Sequence, residues 1–87
     1  MDNQFHAQYE QLDLPFMGGH FFAHVTQGED HDFVGDYLLL NENDAWYFCQ
    51  CVRNRGLDFA LSEYNPHKMT AQDWEQYDSM ILVEIAH

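Results

Sequence analysis

The sequence predicts an α+β fold: a small antiparallel β-meander of about four strands, followed by one short helix and a closing strand. Short runs of β-type residues alternate with polar turns, which is the pattern of consecutive hairpins. The 87 residues include seven Phe, five Tyr and two Trp, which supply bulky core material for one small folded domain. We therefore treat residues 1–87 as a single small acidic domain.

The N-terminal segment, residues 1–14, is expected to be an arm or a short amphipathic helix. Phe5, Tyr9 and Leu12 fall at helical spacing. Pro15 would end such a helix, because the residue before a proline is disfavoured in the helical region.

Four segments have β-type composition and are predicted to be the strands of the meander: 16–26, 33–40, 45–53 and 57–64. The glycine pair at 18–19 indicates a bend or bulge inside the first strand. The third segment is apolar on both alternating sets of residues, as in a central strand that is covered on both faces. Gly56 is placed to adopt a positive φ in the turn before the fourth strand.

The helix is predicted from a capping signal near the C-terminal end of the chain. Thr70 followed by Asp73 resembles a capping box and predicts a short helix through about Asp78. Residues 80–86 are rich in β-branched side chains, which favours a closing strand.

The charge is the strongest functional signal. Fifteen Asp and Glu against three Lys and Arg give a formal net charge of −12, whereas solubility needs a net charge of only ~2–8 in magnitude. Such a surface repels phosphate backbones and anionic lipids, so direct binding to nucleic acid or membrane is not expected. It attracts a basic protein, and we expect the partner to be a nuclease or a nucleic-acid-binding effector. A merely solvated acidic surface is the alternative.

The predicted contact face centres on the second hairpin, which includes the predicted strand 33–40. If that hairpin is extended from Asp30, Asp30, Asp32 and Asp36 project from one face, and each two-residue step covers roughly 6.6 Å, which is close to the ~7 Å of two base-pair rises along DNA. Aromatic residues of the types that dominate interface hot spots are also candidates; they include Trp46, Tyr47 and Tyr64. The complete set of predicted partner-binding residues is Glu29, Asp30, Asp32, Asp36, Glu42, Asp44, Asp73, Glu75, Asp78, Tyr37 and Trp74.

These features favour a small acidic stoichiometric inhibitor that blocks a basic, nucleic-acid-binding surface of a host protein. This is the profile of a phage or mobile-element anti-defence protein, acting against restriction or CRISPR enzymes in the host cytoplasm. An immunity protein or antitoxin that neutralises a basic toxin is an alternative. An enzyme is not expected, because the chain contains no nucleophile elbow, no H-E-x-x-H and no phosphate-binding loop.

A small zinc-binding or thiol-dependent domain is a further alternative, built on His20, His24, Cys49 and Cys51. The two cysteines have one residue between them, whereas common zinc fingers have two to four. Such a site would also require the first and third strands to be neighbours. We therefore expect reduced thiols in a cytoplasmic protein, with no metal and no cofactor. A homodimer is possible through an unpaired sheet edge.

Overall fold

The structure, a computed structural model, describes residues 4–86. Residues 1–3 of the expected N-terminal arm and residue 87 lie outside this range. The elements, in chain order, are β1 (Phe5–Phe16), β2 (Gly19–Gln27), β3 (Asp32–Leu39), α1 (Glu42–Arg55), α2 (Leu57–Tyr64), β4 (His67–Lys68) and α3 (Ala71–Ala86). The strands form one antiparallel sheet in the order β1-β2-β3-β4. The predicted α+β class is confirmed, but the described chain has three helices where one was expected.

The first strand begins eleven residues earlier than the sequence analysis placed it. Residues 5–16, expected to be largely an arm or a short helix, form β1 and pair with β2 from Phe5 opposite Gln27 onward. The turn between β1 and β2 is Met17-Gly18, and both residues have positive φ, at 49° and 81°. This is the backbone that a two-residue hairpin requires. The glycine pair therefore belongs to a hairpin turn and the start of β2, and it is not a bend within one strand.

A β-bulge interrupts the pairing of β2 with β3. Val25 lies opposite Gly35, and Thr26 lies opposite Phe33, which leaves Val34 as the extra residue. A single extra residue reverses the alternation of side chains between the two faces of a strand.

Two predicted strands are helices. Residues 45–53 belong to α1, and residues 57–64 are α2. Residues 41–44 hold the N-cap and the first turn of α1, where the Asn41 side chain accepts a hydrogen bond from the Asp44 backbone amide at 2.8 Å.

The buried residues of α1 explain why the strand prediction was wrong. Ala45, Phe48, Cys49 and Val52 are buried and recur at the i, i+3, i+4, i+7 spacing of a helix that packs one side on a core. The exposed aromatic residues between them made the segment appear apolar on both sides of a strand. Gly56 separates α1 from α2 with φ of 92°, as expected for a glycine in this turn.

The capping signal of α3 is confirmed, but the end of the helix is not where it was expected. The Asp73 amide donates to Thr70 Oγ1 and the Thr70 amide donates to Asp73 Oδ2, both at 3.0 Å. The helix then continues to Ala86, so the closing strand predicted at 80–86 is absent from the described residues. The last strand of the sheet is instead the two-residue β4, before the helix.

Helices cover both faces of the sheet. Helix α1, with α2 beside it, packs on the face that carries Ala7, Ala23 and Val25. Helix α3 packs on part of the other face, where Leu38 and Tyr77 belong to a second core. Within residues 4–86, no helix is both long and apolar enough to cross a bilayer.

Candidate partner-binding surfaces

Apart from Asp36, the acidic residues predicted around the second hairpin form two separate groups. Glu29, Asp30 and Asp32 are exposed at the β2–β3 turn, whereas Glu42 and Asp44 lie at the start of α1, beyond the other end of β3. Strand β3 has eight residues, which span about 26 Å at 3.3 Å each. These residues therefore do not form a single row along β3.

Asp36 does not share a face with Asp32. The bulge at Val34 places Asp32, opposite Gln27, on one face of the sheet and Asp36, opposite His24, on the other. The expectation that Asp30, Asp32 and Asp36 project together from one face was wrong for this reason.

The carboxylate of Asp36 is also occupied. Its Oδ1 lies 2.6 Å from His24 Nδ1, its Oδ2 accepts a hydrogen bond from Trp74 Nε1 at 3.1 Å, and its side chain is 12% exposed. Tyr37 is likewise buried, with its ring centroid 5.6 Å from that of Phe48, and burial raises the pKa of its hydroxyl. Asp36 and Tyr37 thus lie in the interior and do not face a partner. The half-buried Trp74 connects α3 to the sheet.

The three acidic residues predicted on the last helix have different environments. Glu75 and Asp78 are exposed on α3. Asp73 is the helix cap, and its Oδ2 also lies 2.8 Å from His67 Nε2. The hydrogen bond from the Thr70 amide, followed by the one from His67, lowers the pKa of Asp73 below its usual value.

The residues considered for a zinc site do not converge. His24 lies on the sheet face opposite α1, whereas Cys49 is buried between α1 and the sheet. Cys51 is partly exposed, because residues two apart on a helix point in different directions. Burial raises the pKa of Cys49 to about 11, with a smaller opposing effect of Arg53, so this residue is a thiol at neutral pH. Across residues 4–86, no group of three or more His, Cys, Asp or Glu side chains could hold a metal ion.

Exposed aromatic side chains lie near two acidic residues, the partly buried Asp44 and the exposed Glu63, on the two consecutive helices. We call Asp44, Trp46, Tyr47, Glu63 and Tyr64 the acidic–aromatic patch. Trp46, Tyr47 and Tyr64 are 44%, 55% and 36% exposed. The rings of Trp46 and Tyr47 pack edge to face with centroids 4.9 Å apart, and Tyr64 is anchored on the core by an edge-to-face contact with Phe48 at 6.0 Å.

Tyr64 interacts electrostatically with ionisable groups of both helices. Partial burial raises the pKa of its hydroxyl, and the nearby ionisable groups Cys51, Asp44, Glu63 and Tyr47 raise it further. The hydroxyl therefore remains a hydrogen-bond donor in a negative environment at neutral pH. Aromatic faces beside carboxylates are suited to Lys and Arg side chains, because cation–π and ionic attraction act on the same charge.

Sequence reasoning singled out Asp44 and the aromatic residues of this patch separately but did not bring them together. It placed Trp46 and Tyr47 on one strand and Tyr64 on the next. The spacing of Asp44 and Tyr47, which is i, i+3 along one side of a helix, could have joined these two members of the patch.

A cleft of about 360 Å³ opens at the part of the sheet that carries histidines. His6, His24 and His31 line it together with Thr26 and Arg53. The rings of His6 and His31 stack with centroids 4.1 Å apart, and the His24 ring is fixed by Asp36. The cleft is open; His6 and His31 contact each other, and His6 also contacts the carbonyl of Gly28 in the neighbouring turn, whereas His24 contacts Asp36.

No protein-family model, curated protein or solved structure matches this chain.

Proposed function

We propose that this protein is a small acidic stoichiometric inhibitor that binds and blocks a basic, nucleic-acid-binding surface of a host protein. The proposal includes its setting: the host cytoplasm, with a restriction or CRISPR enzyme as the type of target. The observation that carries it is the acidic–aromatic patch, exposed on a chain with a formal net charge of −12.

Charge and aromatic surface contribute in different ways. The negative field accelerates encounter with a basic surface and disfavours acidic partners. Trp46 and Tyr47 offer the rigid, partly apolar area from which hot spots are made. Arg53 and Arg55, two of the three Lys and Arg residues, lie at the opposite end of α1 from Asp44, where they do not neutralise the patch. Arg55 is held over the Phe59 ring at 4.2 Å.

The dimensions of the molecule also suit this role. Its longest extent is 48 Å, which equals about 14 base-pair rises at 3.4 Å each. A protein of this length seated on a basic groove would exclude a duplex by occupying its path as well as by competing for its charges.

The experiment is a capture followed by a competition. The immobilised protein is exposed to a bacterial lysate at low salt, retained proteins are eluted in salt steps and identified, and each is purified and tested for displacement by duplex DNA and by RNA. We expect to retain a nucleic-acid-processing enzyme that is eluted by salt and displaced by added nucleic acid. The protein should inhibit the activity of this enzyme at a one-to-one ratio.

Matched variants separate the patch from net charge. Asp44→Asn/Glu63→Gln and Glu10→Gln/Asp13→Asn each remove two negative charges, but only the first pair lies in the patch. We expect the first double variant to weaken inhibition by at least about tenfold more than the second. Equal effects would show that the patch is not the contact. A retained basic toxin without a nucleic-acid-binding surface would favour the immunity-protein alternative over this proposal.

A further inference from the structure

We infer that the C-terminal half of α3 is a second docking surface, whose occupant is a basic amphipathic helix of the partner protein. This inference rests on the proposed function for the identity of the partner as basic, but it concerns a different surface. We call Leu82, Val83 and Ile85 the α3 tip; their exposed fractions are 67%, 58% and 76%.

The α3 tip extends beyond the sheet that covers the first half of the helix. Tyr77 is buried, at 4% exposure, and its hydroxyl accepts hydrogen bonds from the backbone amides of Asp13 and Leu14. Glu84 follows Tyr77 by seven residues, on the same side of the helix, and yet it is exposed. The sheet therefore ends before the last turns of α3, and those turns are apolar without being covered.

The exposed side of the helix combines apolar and acidic residues in one stripe. Glu75, Asp78, Leu82 and Ile85 are all exposed and recur at i, i+3, i+7 and i+10, which aligns them along the helix. Val83 lies on the other flank, in a shallow groove shared with Leu14 and Met80. A neighbouring helix packed along this stripe would contact the carboxylates nearer the start of α3 and the apolar side chains nearer its end.

Charge identifies the occupant. Residues 71–86 contain Asp73, Glu75, Asp78 and Glu84 and no Lys or Arg. A second copy of this chain would bring acidic helix against acidic helix, whereas a helix with Leu on one side and Lys or Arg at its borders would satisfy both parts of the stripe.

The probe for this surface is a helical peptide of leucine and lysine with an amphipathic arrangement. Two controls match it: a leucine–glutamate peptide with the same pattern, and a leucine–lysine peptide with the same composition in scrambled order. Binding to the full chain is measured by titration calorimetry, and the site is mapped by amide chemical shifts in NMR. We expect only the amphipathic leucine–lysine peptide to bind, with the largest shifts in residues 75–85.

Variants test whether the α3 tip supplies the contact. Leu82→Ser/Ile85→Ser is expected to weaken peptide binding by at least about tenfold, because two exposed aliphatic side chains no longer lose water on binding. Phe33→Ser/Leu40→Ser removes two other exposed apolar side chains, at 64% and 60%, and should leave binding within about twofold. Circular dichroism establishes that both variants keep the fold.

Three results would overturn the inference. The first is chemical-shift changes confined to other surfaces, including the acidic–aromatic patch. The second is equal binding of the wild type and Leu82→Ser/Ile85→Ser. The third is a homodimer in sedimentation equilibrium that this variant abolishes, which would assign the α3 tip to a second copy. The proposed function fails separately, through the nucleic-acid competition and the variants of the acidic–aromatic patch.

Discussion

His24 and Asp36 form a close polar pair across β2 and β3, with Nδ1 of the imidazole 2.6 Å from Oδ1 of the carboxylate. The second carboxylate oxygen accepts the indole N–H of Trp74, 38 residues further along the chain. One buried side chain thereby joins two strands and the last helix. Its place in the interior explains why an acidic residue expected to face a partner instead stabilises the fold.

The Asp36 contacts predict a loss of stability in Asp36→Asn. The amide keeps the size of the carboxylate but removes its charge. Its NH2 group cannot accept a hydrogen bond, so one of the two groups that donated to the carboxylate then faces another N–H donor. We expect the free energy of unfolding to fall by about 1–3 kcal/mol. Urea denaturation followed by tryptophan fluorescence and by circular dichroism measures this change.

Asp32→Asn is the matched control, because Asp32 is exposed on the other face of the same strand. It should change the free energy of unfolding by less than about 0.5 kcal/mol. An equal effect of the two substitutions would contradict the assignment of Asp36 as a structural residue.

The helix cap predicts a pH dependence of stability in acid. The Thr70 amide and His67 hold the pKa of Asp73 below its ordinary value of 3.8. A carboxyl with a lowered folded-state pKa adds stability that is complete above the unfolded-state pKa and is lost as pH falls through the folded-state pKa. The difference in unfolding free energy between the wild type and Asp73→Asn should therefore shrink as pH falls below about 3.8.

Asp78→Asn provides the comparison for Asp73, because it removes an exposed carboxylate from the same helix. Its difference from the wild type should be small and nearly constant over that pH range. If Asp73→Asn also gave a constant difference, the folded-state pKa of Asp73 would not be lowered by its capping interactions.

The two cysteines should differ in reactivity. Cys49 is 1% exposed and its pKa is raised to about 11, so few molecules carry a thiolate at pH 8. Cys51, two residues further along α1, is partly exposed. Alkylation with iodoacetamide under native conditions, followed by mass spectrometry, should label Cys51 first.

Serine variants assign the labelled cysteine. Cys51→Ser should abolish the fast labelling, whereas Cys49→Ser should preserve it. Fast labelling that persists in Cys51→Ser would mean that Cys49 is accessible and that the core around α1 is not packed as the structure has it.

Signals that act between residues close in sequence correctly predicted where some elements begin and end. The Thr70–Asp73 cap and the glycine at position 56 act within a few residues of themselves, so the start of α3 and the break after α1 could be predicted from sequence. Strand β1 has a period-two pattern as well as the helical spacing of Phe5, Tyr9 and Leu12. Only its pairing along β2 decides between the two.

The remaining features depend on contacts that are distant in sequence. The helical state of 45–53 is favoured by packing of Phe48 and Val52 on the sheet, whereas the residues themselves fit either state. The burial of Asp36 requires both the bulge at Val34 and the indole of Trp74. The acidic–aromatic patch exists because α1 and α2 are helices. A prediction of strands for these segments therefore could not show that its residues lie near one another.

The most direct test of the proposed function asks whether the protein and nucleic acid exclude each other on a captured target. Fluorescently labelled duplex DNA is bound to the purified target, and unlabelled protein is added while fluorescence anisotropy is recorded. We predict full displacement of the DNA at a stoichiometric amount of protein, with Asp44→Asn/Glu63→Gln displacing it less well than Glu10→Gln/Asp13→Asn. A stable ternary complex of target, DNA and protein would contradict the proposal that this chain blocks a nucleic-acid-binding surface.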